Sequence, residues 1–215
     1  MALADLLPSA GRPLAFGIPG SPVVVVLHDW YGRLPWLEPY ADGLARQGFR
    51  VVLPDLFDGV TTTDPAEARV LMEQLDLRAS LVLIDDAIQV AKDRGSGRVG
   101  VVGFSMGGWL ALLHAQGGSA DAVVAYYASL GPQEQALIPC PVLLQLAEVD
   151  DWPDGGEPEA LVASLKDHGT PITQFTYLGT RHSFANADLP ELLDSRAATV
   201  AFARTASFLT EHLID

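Results

Sequence analysis

Apolar residues recur along this chain with two different periods. In "PVVVVLH" (22–28), "FRVVLPD" (49–55), "RVGVVGF" (98–104), "DAVVAYY" (121–127), "PVLLQLA" (141–147) and "ITQFTYL" (172–178) they form short runs, many of them β-branched and several apolar on both faces. Such runs predict strands covered on both sides. Between them, residues 36–48, 64–95, 106–118, 156–169 and 188–213 place apolar side chains at i, i+3 and i+4, the spacing of amphipathic helices. Gly48, Gly95, Gly117 and Gly169 stand where a left-handed helix C-cap is expected. "FGIPGSP" joins a short edge strand near residues 13–17 to the first central strand. Strand and helix alternating in this way predict one α/β domain over residues 1–215, a doubly wound, mostly parallel sheet with helices on both faces.

Composition narrows what such a domain can do. An apolar fraction of 49% over 215 residues is enough for one sizeable core. The formal net charge of −14 repels nucleic acid and anionic membrane surfaces, so neither is an expected partner. Cys140 is the only cysteine, which excludes an intrachain disulfide and a thiolate metal cluster; at the start of an apolar strand it reads as a small buried hydrophobe. The N-terminus, "MALADLLPSAGRPLAF", lacks a basic region followed by a long apolar stretch, and no run is long enough to span a bilayer. A cytoplasmic protein is expected. The oligomeric state is left open, a monomer included.

The candidate chemistry begins at Gly103-Phe104-Ser105-Met106-Gly107, a Gly-x-Ser-x-Gly stretch lying directly between a strand run and a helical run. A serine on such a turn takes a strained conformation that presents its hydroxyl to the cleft, and small neighbours permit the turn. The competing reading is a glycine-rich strand–helix crossing with a buried serine. A phosphate loop fits worse, because no lysine follows the glycines and the G-x-G-x-x-G spacing is absent.

A serine nucleophile needs a base held by a third group, and on this type of turn the acid and then the histidine follow later in the chain. Of the five histidines, His28 ends the first central strand, His114 and His168 fall on helical stretches, and His212 lies near the C-terminus. Only His182, in "GTRHSFAN", follows a late strand and an acidic loop. That loop, "EVDDWPDGG", holds Glu148, Asp150, Asp151 and Asp154; Asp150 is the expected triad acid, and a one-residue shift would substitute Asp151. The oxyanion would lie between the backbone N–H groups of Met106 and Trp30. Tyr31, Trp36 and Trp152 are candidate pocket walls, with packing of loops onto the sheet as the alternative. Asp29 either orients the site or is a strand-end turn residue, and Arg181 either offsets the acidic rim locally or is a solvated surface cation. The histidines are scattered and no H-E-x-x-H occurs, so no metal and no cofactor are implied.

Taken together, "VVVVLHDWYG", "GFRVVLPDLFDG", "RVGVVGFSMGGWLAL", "AVVAYYASLG", "PVLLQLAEVDDWPD" and "TYLGTRHSFAN" resemble the dienelactone hydrolase family of α/β-hydrolases over nearly the whole chain. The resemblance implies an α/β-hydrolase fold, an aromatic-Gly turn that lines the site, and a triad mapping onto Ser105, Asp150 and His182. The chain departs from the family pattern in three places. Serine stands where dienelactone-cleaving members carry cysteine, Asp29 stands where a glutamate is frequent, and Asn186 stands where an arginine grips the substrate carboxylate. These departures imply serine-esterase chemistry on a small ester or lactone. The rivals are a non-catalytic binding module on the same fold, and an acyltransferase or thioesterase using the same triad.

Overall fold

A computed structural model describes residues 11–151 and 156–214. Seven strands form one sheet in the order β1-β3-β2-β4-β5-β6-β7. They are β1 (Leu14–Phe16), β2 (Val23–Leu27), β3 (Arg50–Leu53), β4 (Val99–Phe104), β5 (Ala122–Tyr126), β6 (Val142–Val149) and β7 (Ile172–Arg181). Only the edge strand β1 pairs antiparallel. The helices are α1 (Leu37–Ala45), α2 (Pro65–Glu73), α3 (Leu77–Lys92), α4 (Met106–Ala115), α5 (Pro158–Asp167) and α6 (Ser195–Leu213).

Alternate residues of each central strand point to opposite faces, so the all-apolar runs feed two separate cores. Val24, Val26, Val102 and Val124 pack with α1 and α6, whereas Val23, Val25, Val101 and Val123 pack with α3, α4 and α5. Every residue of β2, β4 and β5 is buried, as expected for strands roofed on both sides.

The helical periodicity over 64–95 resolves into two helices. Asp64 caps α2 by accepting from the N–H groups of Ala66 and Glu67, and Asp76 caps α3 by accepting from Ala79. Those two side-chain caps restart the helix where pattern alone runs on. The stretch 188–213 becomes helical only from Ser195, behind the Asp194 cap. Left-handed glycines follow α1, α3 and α5 at Gly48, Gly95 and Gly169, but after α4 the left-handed residue is Gly118 and not Gly117. The turn beyond α4 runs one residue further than the pattern suggests.

The sheet order sets the position of the site. From β2 the chain moves outward to β3 and then returns to the other side of β2 for β4. The loops that leave β2 and β4 therefore diverge, opening a crevice at their carboxyl ends, where ligands bind in sheets of this kind.

Candidate active site

Ser105 occupies the single residue between β4 and α4, with φ 53° and ψ −118°. A side chain in that region is strained by about 1–3 kcal/mol, and the surrounding packing holds it there. Its N–H donates to the Tyr126 carbonyl at the end of β5, and its own carbonyl accepts from Trp109. The flanking glycines have a steric reason. A Cβ on Gly103 would lie 2.0 Å from the Gly107 carbonyl oxygen, and one on Gly107 would lie 2.5 Å from those of Leu27 and His28. Helix α4 thus begins against the end of β2, where the chain turns into the loop that carries Trp30.

Parallel pairing of β6 with β7 supplies the other two side chains. A β-bulge between Ala147 and Val149 brings Val149 opposite Arg181, and the His182 N–H donates to the Val149 carbonyl. The next residues along each strand, Asp150 and His182, consequently emerge side by side. His182 Nδ1 lies 2.7 Å from Asp150 Oδ1, and its Nε2 lies 2.6 Å from Ser105 Oγ. With Nδ1–H donated to the carboxylate, Nε2 is left to accept from the serine hydroxyl. Ser105 is buried, while the His182 and Asp150 side chains keep 19% and 26% exposure. The Tyr127 ring meets the imidazole edge-on at 5.0 Å. Tyr127 (φ 36°) and Ser183 (φ 67°) join Ser105 among the four described non-glycine residues with positive φ, so three of the four sit at this site.

Beneath the imidazole, Asp29 is buried, accepting from the Tyr31 N–H at 2.9 Å and from Asn186 Nδ2 at 2.8 Å. Burial raises its carboxyl to about 6, against the pull of those two donors. Asp29 does not line the cleft; it ties the Trp30–Tyr31 loop to the segment after His182. Its neighbour His28 donates Nδ1–H to the Asp29 carbonyl and accepts the Leu56 N–H at Nε2. Both ring nitrogens are used by a neutral imidazole, and burial depresses its pKa to about 4.

A cavity of about 450 Å³ opens over His182. Trp30, Tyr31, Met72, Val149 and Leu192 supply its apolar lining, and Arg69, Glu73, Asp151 and Arg181 its charges. Among the expected pocket residues, Tyr31 and Arg181 do line it. Trp36 does not: it precedes α1, is 6% exposed, and packs edge-on against Phe104 at 4.8 Å, so its apolar ring belongs to the core. Trp152 and Asp154 lie outside the described residues. Asp151 lines the cavity while Asp150 reaches the histidine. Sequence reasoning missed the wall made by Arg69, Met72 and Glu73; their i, i+3, i+4 spacing on α2 was the available signal, but it reads equally as a solvated helix face. Asn186, noted only as a departure from the family pattern, proves to be the buried partner of Asp29. Among the described residues no group of three or more His, Cys, Asp or Glu is arranged to hold a metal ion.

Comparison with known proteins agrees with this architecture. Residues 14–213 match the profile of the dienelactone hydrolase family. The chain belongs to that family. It is 30% identical over 205 residues to a carboxymethylenebutenolidase of Rhodococcus opacus, covering 88% of this chain and 81% of the relative. It is also 26% identical over 207 residues to "Protein usf" of Aquifex pyrophilus, covering 90% of each. A dienelactone hydrolase-like promiscuous phosphotriesterase from metagenomic libraries superposes with a TM-score of 0.73 at 19% identity, over 89% of this chain and 86% of that one. The two chains share a fold. No helix among the described residues is long and apolar enough to cross a membrane.

Proposed function

We propose that this family member is a serine hydrolase that cleaves small esters or lactones through an acyl-enzyme on Ser105. The observation that carries the reading is the Ser105–His182–Asp150 chain of contacts, 2.6 and 2.7 Å long, on a serine held at φ 53° beside a cavity. Ser105 Oγ attacks the carbonyl carbon as His182 Nε2 takes its proton, and the C–O bond to the leaving alcohol breaks as that proton is returned. Water then attacks the acyl-enzyme by the same route, releasing the acid and restoring the serine. Asp150 keeps the proton on Nδ1 and stabilises the imidazolium. The Met106 and Trp30 N–H groups face the developing oxyanion, where loss of one donor typically costs about 3 kcal/mol of transition-state stabilisation.

The substrate class follows from the lining. Apolar walls from Trp30, Tyr31, Met72, Val149 and Leu192 favour a small aliphatic or aromatic group, and the two arginines of the rim are matched in number by Glu73 and Asp151. Labelling the intact protein with a fluorophosphonate probe, followed by peptide mass spectrometry, tests the reading. Modification is expected at Ser105, and Ser105→Ala is expected to lose at least about 10³-fold in kcat/KM on short acyl esters. Folded protein that is not labelled at Ser105, or a Ser105→Ala variant with undiminished activity, contradicts it.

A further inference from the structure

A second cavity, of about 320 Å³, lies between β1, β3 and α3. It is at the far end of the sheet from Ser105: Arg50 opens β3, whereas Ser105 follows the last residue of β4, and both strands run parallel to β2. Its walls are apolar, built from residues such as Ala15, Val52 and Ala87. Its rim is not. Arg12, Arg50 and Arg94 surround it with Asp86 as the one carboxylate in the lining, in a chain that carries 13 cations against 27 acids.

None of these three arginines forms an ion pair among the described residues. Arg50 is anchored by its backbone neighbours, with Nη1 donating to the Gly17 carbonyl at 2.8 Å and lying 3.4 Å from that of Phe16. Those bonds fix the guanidinium at the mouth of the cavity. Partial burial, and then the nearby Arg94 charge, lower its pKa. Arg50 and Arg94 both border this apolar hollow and repel each other, and an anion placed between them would relieve that repulsion.

We propose that this cavity is a binding site for an amphipathic carboxylate, its apolar chain or ring lying between α3 and the β1–β3 edge and its carboxylate spanning Arg50 and Arg94. The proposal stands independently of the chemistry at Ser105, from which the site is separated by the length of the sheet. Octanoate serves as the probe. Added to the full chain and followed by ¹H–¹⁵N NMR, it shifts the amides of Ala15, Val52, Ala87 and Ala91 in a saturable manner. Octanol binds there at least about tenfold more weakly, and Arg94→Gln weakens octanoate by a similar factor, as loss of a charge-assisted contact requires. The proposal is overturned if those amides do not move, if shifts are confined to the cavity over His182, if octanol binds as tightly as octanoate, or if Arg94→Gln leaves the affinity unchanged.

Discussion

At the scale of single residues, the site distinguishes groups that sequence position alone makes equivalent. Asp150 and Asp151 are chain neighbours of the same chemistry, yet one contacts His182 and the other borders the cavity. Asp150→Asn is therefore expected to lower kcat by about 10³- to 10⁴-fold on a neutral nitrophenyl ester, whereas Asp151→Asn changes KM and leaves kcat nearly unaltered. Equal losses in the two variants would contradict the assignment. Asp29 and His28 make a separate prediction about stability. Burial raises Asp29 from 3.8 to about 6, so the folded protein binds a proton that the unfolded chain releases; the resulting penalty appears as pH rises from about 4 and is complete above about 6. His28, lowered from 6.5 to about 4, acts in the opposite sense, weakening the fold as pH falls through that same window. Asp29→Asn removes only the first effect. The stability of the variant relative to wild type, from urea unfolding, should thus increase by about 3 kcal/mol between pH 4 and pH 6.5. A constant difference would show that Asp29 does not titrate in this range.

At the scale of elements, the geometry around Ser105 depends on how closely α4 approaches β2. The contact between Gly107 and the Leu27 and His28 carbonyls leaves no room for a methyl group, and backbone atoms cannot rotate out of its way. Gly107→Ala is expected to destabilise the protein by about 1–3 kcal/mol. On the proposed mechanism it also reduces kcat in the folded fraction, because moving α4 away from β2 would separate the proposed oxyanion donors, the Met106 and Trp30 N–H groups. Urea unfolding and esterase rates on the same preparation check both, and a stable, fully active variant would refute the packing account. The Asp150–His182 contact depends in a similar way on one strand pair: the bulge near Val149 and the β6–β7 register place Asp150 next to His182, and a shift of one residue would turn each side chain to the opposite face.

At the scale of the whole molecule, the net charge of −14 acts on every ligand that approaches. Arg69 and Arg181 at the cavity are balanced by Glu73 and Asp151, so the long-range field is set by the excess of acids elsewhere. For an anionic ester, kcat/KM should rise a few-fold as salt is increased and the Debye length falls from about 30 Å at 0.01 M toward about 8 Å at 0.15 M. A neutral ester of the same acyl group should show no such rise. Salt-independent rates for both would indicate that local arginines outweigh the overall charge.

The amino-acid order is by itself sufficient for the strand runs, most helix positions, the α/β class and the serine turn, because each depends on residues close together in the chain. Periodicity decides which face is buried, and within the Gly-x-Ser-x-Gly stretch Gly103 is limited by the Gly107 carbonyl four residues on, whereas the limit on Gly107 comes from the end of β2. The histidine was legible by elimination, since only His182 follows a late strand. Pairing Asp29 with Asn186, moving Trp36 from the cleft to the core, bringing α2 into the cavity wall and gathering three arginines round a second cavity were decided only in the folded chain. Each of these joins segments tens of residues apart, and strand register, loop path and the mutual approach of helices set such distances through the packing of the whole sheet.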